Sequence, residues 1–399
     1  MSRSGPAPDL VVVGAGTMGA WTALRALEGG RRTLLLDAYG AGHSRATSGD
    51  ETRIIRSSHG PDAFYSRWAR EARDAWIELG TGLEKPIFVP CGAAWFAHRE
   101  GAFDDQSVAT LRSLDIPVEK LSPDDARTRW PGLRTDDLAF VVHEPEAGLL
   151  MARRGVQAVV RRFSDGGGGF ELARVRPGAA SGRRLADVVT DGGERISASE
   201  FVFAAGPWLP ALFPDVLGGV VNVTKQDVLF FGPGAADDRW DAARFPCWVD
   251  YDLAYYGIPA VDGRGVKCAP DTYGGPFDPD DGDRLVDAET IRLAREYMAV
   301  RMPDLASRPI VETRVCQYEA TPDTHFVIDR HPDFDNVWLV GGGSGHGYKH
   351  GPMIGAHVVD RLNGVPTGTG DERFSIARPR ELRVGLRSGA DTLAKATHH

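Results

Sequence analysis

Hydrophobic and polar positions change period several times along this chain. Leu10-Val-Val-Val13 is an unbroken apolar run of strand length, which reads as a buried strand. Ala20, Ala23, Leu24 and Leu27 then recur at helical spacing until Gly29-Gly30 ends the pattern. Thr33-Leu-Leu-Leu36 is a second buried strand, closed by Asp37. A hairpin signal at Asp191-Gly192-Gly193 precedes Glu200-Phe-Val-Phe-Ala-Ala-Gly206-Pro-Trp208, a strand running into a small-residue turn. Asn336-Val-Trp-Leu-Val340 does the same into Gly341-Gly-Gly-Ser-Gly345-His-Gly347, and a helix is predicted from about Pro352 to Leu362. Residues 86–146 and about 219–321 carry short alternating runs, aromatics and proline-rich turns, the pattern of a mainly antiparallel sheet. The four glycines at 166–169 read as a loop tip, and no periodic face is visible beyond about Pro379.

Length turns these elements into domains. At 399 residues a single core stops growing, so two domains are expected. The fold class is α/β: a discontinuous Rossmann-like domain over 1–85, 147–218 and 322–385, and a second domain with a mainly antiparallel sheet over 86–146 and 219–321. Residues 386–399 are expected to form a peripheral tail. Composition is ordinary and globular, 42% hydrophobic and 25% charged. Forty-six basic against 55 acidic side chains, a net charge of −9 and no basic run argue against a nucleic-acid partner. No apolar stretch approaches the roughly 20 residues that span a bilayer, and Met1 to Asp9 lacks the order of a signal peptide. The cysteines (Cys91, Cys247, Cys268, Cys316) form no CxxC pair, and metal-ligand spacing is absent, so neither a disulfide framework nor a metal is expected. A cytoplasmic location follows as an expectation.

The first strand leads directly into Gly14-Ala-Gly16-Thr17-Met18-Gly19, a GxGxxG turn that opens a helix inside a strand–helix–strand unit of about 30 residues. Gly14 permits the tight turn, Gly16 lets backbone approach a pyrophosphate, and Gly19 lets the helix pack on the strand. The helix N-terminus offers N–H groups and partial positive charge to phosphates. Asp37, with Ala38 beside it, stands where a carboxylate accepts from a ribose diol. The fingerprint alone does not separate NAD from FAD. Its position at the start of the chain, with the domain completed near the end, suits FAD. Arg53 and Arg56 are three apart, so on a helical turn they share a face. Such a face serves a reduced flavin or a substrate carboxylate, or is simply solvated.

With these segments in hand, the sequence resembles the monomeric sarcosine oxidase and N-methyl amino acid oxidase family of flavoenzymes. The carriers are Gly14 to Gly19, Asp37-Ala38, Asp50-Glu-Thr-Arg-Ile-Ile-Arg56, Tyr255-Tyr-Gly257, Val266-Lys267, Val315-Cys316-Gln-Tyr, Thr321-Pro-Asp-Thr-His-Phe-Val-Ile-Asp329 and Gly343-Ser-Gly-His-Gly-Tyr-Lys349, in the family's order over residues 10 to about 380. The resemblance implies FAD attached through the sulfur of Cys316, which as a thiolate is a competent nucleophile. It implies that Lys267 helps oxygen accept electrons, that Arg56 and Lys349 hold the substrate carboxylate, and that Tyr256 lines the substrate cavity. Thr52, Arg53 and His346 fall beside the flavin, with Arg53 and Tyr256 also counted among the catalytic candidates. His43, Ala205, Gly206, Trp208, Gly343, Gly345, Gly347 and Lys349 complete the expected cofactor contacts.

Two departures stand out. Ser48-Gly49 replaces a histidine pair, and Asp271 replaces a histidine after the active-site lysine. Both are expected on the substrate side, where Asp271 would recruit a cationic or polar group of a larger amino acid. The implied activity is oxidation of a secondary-amine amino acid by hydride transfer to flavin, giving an imine and hydrogen peroxide, by a monomer. The competing readings are a specialised oxidase of a cyclic imine or glycated amino acid, a flavin dehydrogenase with another electron acceptor, and a non-catalytic nucleotide-binding module.

Overall fold

The computed structural model describes residues 7–380; the tail expected over 386–399 lies outside them. The first sheet has six strands in the order 327–330, 337–341, 200–203, 10–13, 33–37, 169–172. Strand β1 (Leu10–Val13) is central and runs parallel to both neighbours, Glu200–Phe203 and Thr33–Asp37. Only the outer pair, Val327–Arg330 with Val337–Gly341, is antiparallel. Side chains alternate across this sheet as strand geometry requires. Leu10 and Val12 join a core with the helices Thr17–Glu28, Ala152–Asp165 and Gly351–Leu362. Val11 and Val13 enter another with Val188, Ile196 and Leu217 on the opposite side. Burial on both faces explains why these strands are continuous apolar runs.

The second sheet has eight strands, in the order 310–320, 222–231, 266–270, 255–258, 247–250, 93–97, 140–144, 119–121. Every pairing is antiparallel except Cys247–Asp250 with Ala93–Ala97. One face packs Leu229, Phe231, Val266 and Cys268 under the helix Ala288–Arg301. The other face carries Val228, Phe230 and Ala269 with Tyr256 and Cys316. Period two thus sends Lys267 and Cys268 to opposite faces.

Two local expectations are corrected. Arg53 and Arg56 do not share a helical turn: Thr52–Ile55 is a strand, paired antiparallel with Gly148–Met151. Three of its four residues, Thr52, Ile54 and Ile55, are β-branched, and a sheet partner far along the chain overrides any helical spacing. The glycines at 166–169 are a loop only in part, because Gly169 already begins the edge strand Gly169–Leu172.

Candidate active site

The glycine turn follows from close approach of backbones. Gly14 has φ 105°, and a Cβ there would lie 2.3 Å from the carbonyl oxygen of Ala204. No larger residue fits between the ends of two adjacent parallel strands. Helix α1 (Thr17–Glu28) starts at once, with Gly16 as an N-cap that makes no side-chain bond and no acidic residue in the first turn. Its N-terminus therefore faces the cavity with its partial positive charge unopposed. Gly19 does not reach the cavity wall. A Cβ on it would sit 1.9 Å from the Gly14 oxygen, so it serves the packing of helix on turn.

A cavity of about 500 Å³ begins at this helix end. Its wall holds Gly14, Gly16, Thr17, Met18, Asp37, Ala38, His43, Ala205, Gly206 and Trp208 on one side. Arg53, Cys316, Gly343, Gly345, His346, Gly347 and Lys349 follow, and then Arg56, Tyr256 and Asp271. Residues from both sheets and from both ends of the chain thus meet around one space. Asp37 is already engaged there: one oxygen accepts from Ala15 N at 2.7 Å, the other from Tyr39 N and Gly40 N, each at 2.8 Å.

Thr52 and Lys267 are placed behind the wall. Lys267 is 1% exposed and donates to the Thr52 carbonyl at 3.1 Å and to the Asp50 carboxylate. Asp50 also accepts from Arg53 at 2.7 Å, and Arg53 reaches Cys316 Sγ at 3.4 Å. Asp50, Lys267, Arg53 and Cys316 form one connected cluster, in which Asp50 and Lys267 are buried and Arg53 and Cys316 are half-buried at the cavity wall. Burial works to raise the Asp50 carboxyl, but Lys267 and Arg53 outweigh it and hold the group well below the usual carboxylate range. Burial also pulls the Lys267 ammonium down, opposed by Asp50.

At the far end Arg56 lies over the Trp95 ring, 4.5 Å from its centroid, and Lys349 Nζ donates to the His346 carbonyl at 3.2 Å. His346 Nε2 lies 2.9 Å from the Thr324 carbonyl. His59 lines the same cavity as Arg56 and Lys349, and its imidazole is kept far below its ordinary value by burial and then by Lys349 and Arg56. Tyr256 remains a neutral phenol because burial pushes it well above the ordinary range. Phe103 and Tyr251 stack at 4.8 Å on the same wall as Asp271.

Ser48 corrects the expected position of the Ser48-Gly49 departure. Its hydroxyl accepts from Thr17 N at 3.0 Å, which puts it at the helix N-terminus and not among the substrate-side groups. Gly49 is fixed by a close approach, since a Cβ there would come 1.8 Å from the His43 oxygen. Sequence reasoning gave no role to Asp50, His59 or Glu319. Asp50 stood inside a quoted motif, but only the fold reveals that two cations close on it. His59 and Glu319 carried no signal, being single residues outside any spacing rule.

The donor set fits a flavin dinucleotide. A helix N-terminus without an acidic residue in its first turn, a turn that tolerates no Cβ, and a thiol beside an arginine line one cavity. Comparison with known proteins agrees. The chain is 28% identical over 386 residues to monomeric sarcosine oxidase of Bacillus sp. (strain B-0618), covering 93% of this chain and 96% of that protein. It is 26% identical over 377 residues to N-methyl-L-tryptophan oxidase of Yersinia pestis (strain Pestoides F), covering 93% and 99%. Among solved structures, L-proline dehydrogenase from P. horikoshii superposes with a TM-score of 0.82 at 18% identity, over 93% of this chain and 97% of that one. Fructosyl amine:oxygen oxidoreductase (Amadoriase I) from Aspergillus fumigatus gives a TM-score of 0.77 at 22% identity, over 94% and 90%. Residues 9–361 match the family described as DAO, FAD dependent oxidoreductase, and to that family the chain belongs.

Proposed function

We propose that the protein is an FAD-dependent oxidase of a secondary-amine amino acid, working as a cytoplasmic monomer. The observation that supports this is that Arg56 and Lys349, from opposite ends of the chain, line the same cavity as the glycine turn. When bound, FAD supplies a two-electron oxidant able to take a hydride equivalent from the carbon next to nitrogen. The protein's part is placement. Arg56 and Lys349 hold the substrate carboxylate, so the amine-bearing carbon is presented in one orientation. Tyr256, a neutral, half-buried phenol on the cavity wall, helps exclude water from that position. Cys316 would hold the flavin through its sulfur, and Lys267 with Arg53, paired with the one carboxylate of Asp50, would leave net positive charge near it, which would favour reduction of oxygen to hydrogen peroxide.

A larger substrate than sarcosine is the second reading. The Phe103–Tyr251 stack and Asp271 on the wall favour an amino acid with an extended or cationic side chain, including a glycated one. The primary test is Arg56→Met. It is expected to raise KM for a carboxylate-bearing amine by about tenfold to a hundredfold, the loss of a charged hydrogen-bonded contact, with little effect on flavin content. An unchanged KM overturns the anchor. For the tether, acid precipitation of the wild type is expected to keep the yellow colour in the pellet, while Cys316→Ala loses it to the supernatant. Colour in the wild-type supernatant contradicts the tether.

A further inference from the structure

One carboxyl group in the cavity has no part in the function just proposed. Glu319 stands near the end of strand Ile310–Ala320, three residues beyond Cys316. It lines the cavity, yet it is 6% exposed and its Oε2 has no hydrogen-bond partner. Its surroundings are backbone and small groups. A Cβ on Gly343 would lie 3.3 Å from Oε1, one on Gly341 3.4 Å from Oε2, and one on Gly206 3.8 Å from Oε2. Those glycines belong to the two small-residue turns that follow parallel strands of the first sheet. Val223 lies across the strand pair, and Met18 reaches the same glycines. From none of these elements does a charged side chain face the carboxyl among the described residues.

An ionised carboxylate in such a place would be a buried charge without a counter-ion. The neutral acid avoids that cost, and unlike a carboxylate it has a proton to donate. Burial pushes the group up to about 7, with the Gly342 and Gly343 N–H groups opposing.

We propose that Glu319 is a cofactor-contacting residue that stays protonated in the loaded protein and donates its O–H to an acceptor atom of the bound flavin dinucleotide. The proposal rests on the FAD reading above. Its consequence is a linkage: the protonated form binds and the ionised form does not, so affinity falls as pH rises through the carboxyl's titration. His43, His346, Asp37, Asp50, Asp271 and Lys349 also line the cavity. Those groups are common to the wild type and a Glu319 variant, so the difference between the two isolates Glu319.

The test uses the full chain with Cys316→Ala as the common background, so that binding stays reversible, and the chain with Glu319 intact in that background serves as the wild type. Each chain is produced free of flavin, titrated with FAD and read by quenching of FAD fluorescence, from roughly pH 5.5 to 9. Relative to Glu319→Gln, wild-type affinity is expected to fall about tenfold per pH unit above neutrality. The Gln variant keeps an N–H donor and matches the wild type at low pH. Glu319→Met has no donor and binds roughly tenfold more weakly there. Glu319→Val, also without a donor, provides the same comparison if Met disturbs the glycine packing. Parallel pH profiles for the wild type and Gln overturn the proposal, as does Met binding equal to wild type at low pH. A wild type that takes up no FAD at any pH refutes the FAD reading itself, before any variant is compared.

Discussion

Lys267 and Asp50 share a site from which water is almost wholly excluded, 1% and 5% exposed. Two buried charges persist there only because each answers the other, with Arg53 as a third member. The arrangement is asymmetric. Removing Asp50 leaves two cations facing each other, whereas removing Lys267 leaves Asp50 still paired with Arg53. Asp50→Asn is therefore expected to cost about 3–5 kcal/mol of stability and Lys267→Met clearly less. Urea unfolding midpoints at constant m-value check the order; the reverse order contradicts the cluster. The motif Asp50-Glu-Thr-Arg made the arginine legible in the sequence, but not the carboxylate's service to a lysine more than two hundred residues away. Long-range charge pairing leaves no periodic trace. Glu319 is hidden for a related reason, because a lone acid near a strand end carries the same sequence signal whether it meets solvent or a glycine-walled cavity.

At the scale of elements, the strand–turn–helix unit from Leu10 to Asp37 was readable almost to the residue, since each part is dictated locally. Apolar runs make the strands, close backbone approach demands the glycines, and the helix stops at Gly29. The strand Thr52–Ile55 was not readable. Its four residues fit a helical spacing as well as a pleated one, and only pairing with Gly148–Met151 decides. Helix Thr17–Glu28 adds a device that sequence order conceals. Its N-cap is a glycine, and Ser48 from a distant loop supplies the oxygen that a local cap would provide. Ser48→Ala is expected to cost about 1 kcal/mol by leaving the Thr17 N–H unpaired, seen as a lowered melting temperature of the flavin-free protein. No change in melting temperature contradicts the borrowed cap.

Across the whole molecule, the site exists because two sheets built from interleaved chain segments bring distant residues to one cavity. The parallel sheet supplies turns that end at the cavity. The antiparallel sheet presents Tyr256 and Cys316 from one face while Cys268 packs into the core on the other. Alternation within each segment was visible in the sequence; which segments meet was visible only through resemblance and then through the fold. None of the helices among the described residues is long and apolar enough to cross a membrane. The central claim is that bound flavin and the Arg56–Lys349 anchor together oxidise a carboxylate-bearing amine. The most direct measurement is the visible absorbance of the flavin-loaded protein, mixed without oxygen with a panel of N-methyl, cyclic and glycated amino acids and then with oxygen. The account predicts bleaching by at least one such amino acid, none by the matching amine that lacks the carboxylate, and return of colour with peroxide when oxygen is admitted. A flavin that stays oxidised with every amine, or that bleaches equally well without the carboxylate, contradicts it.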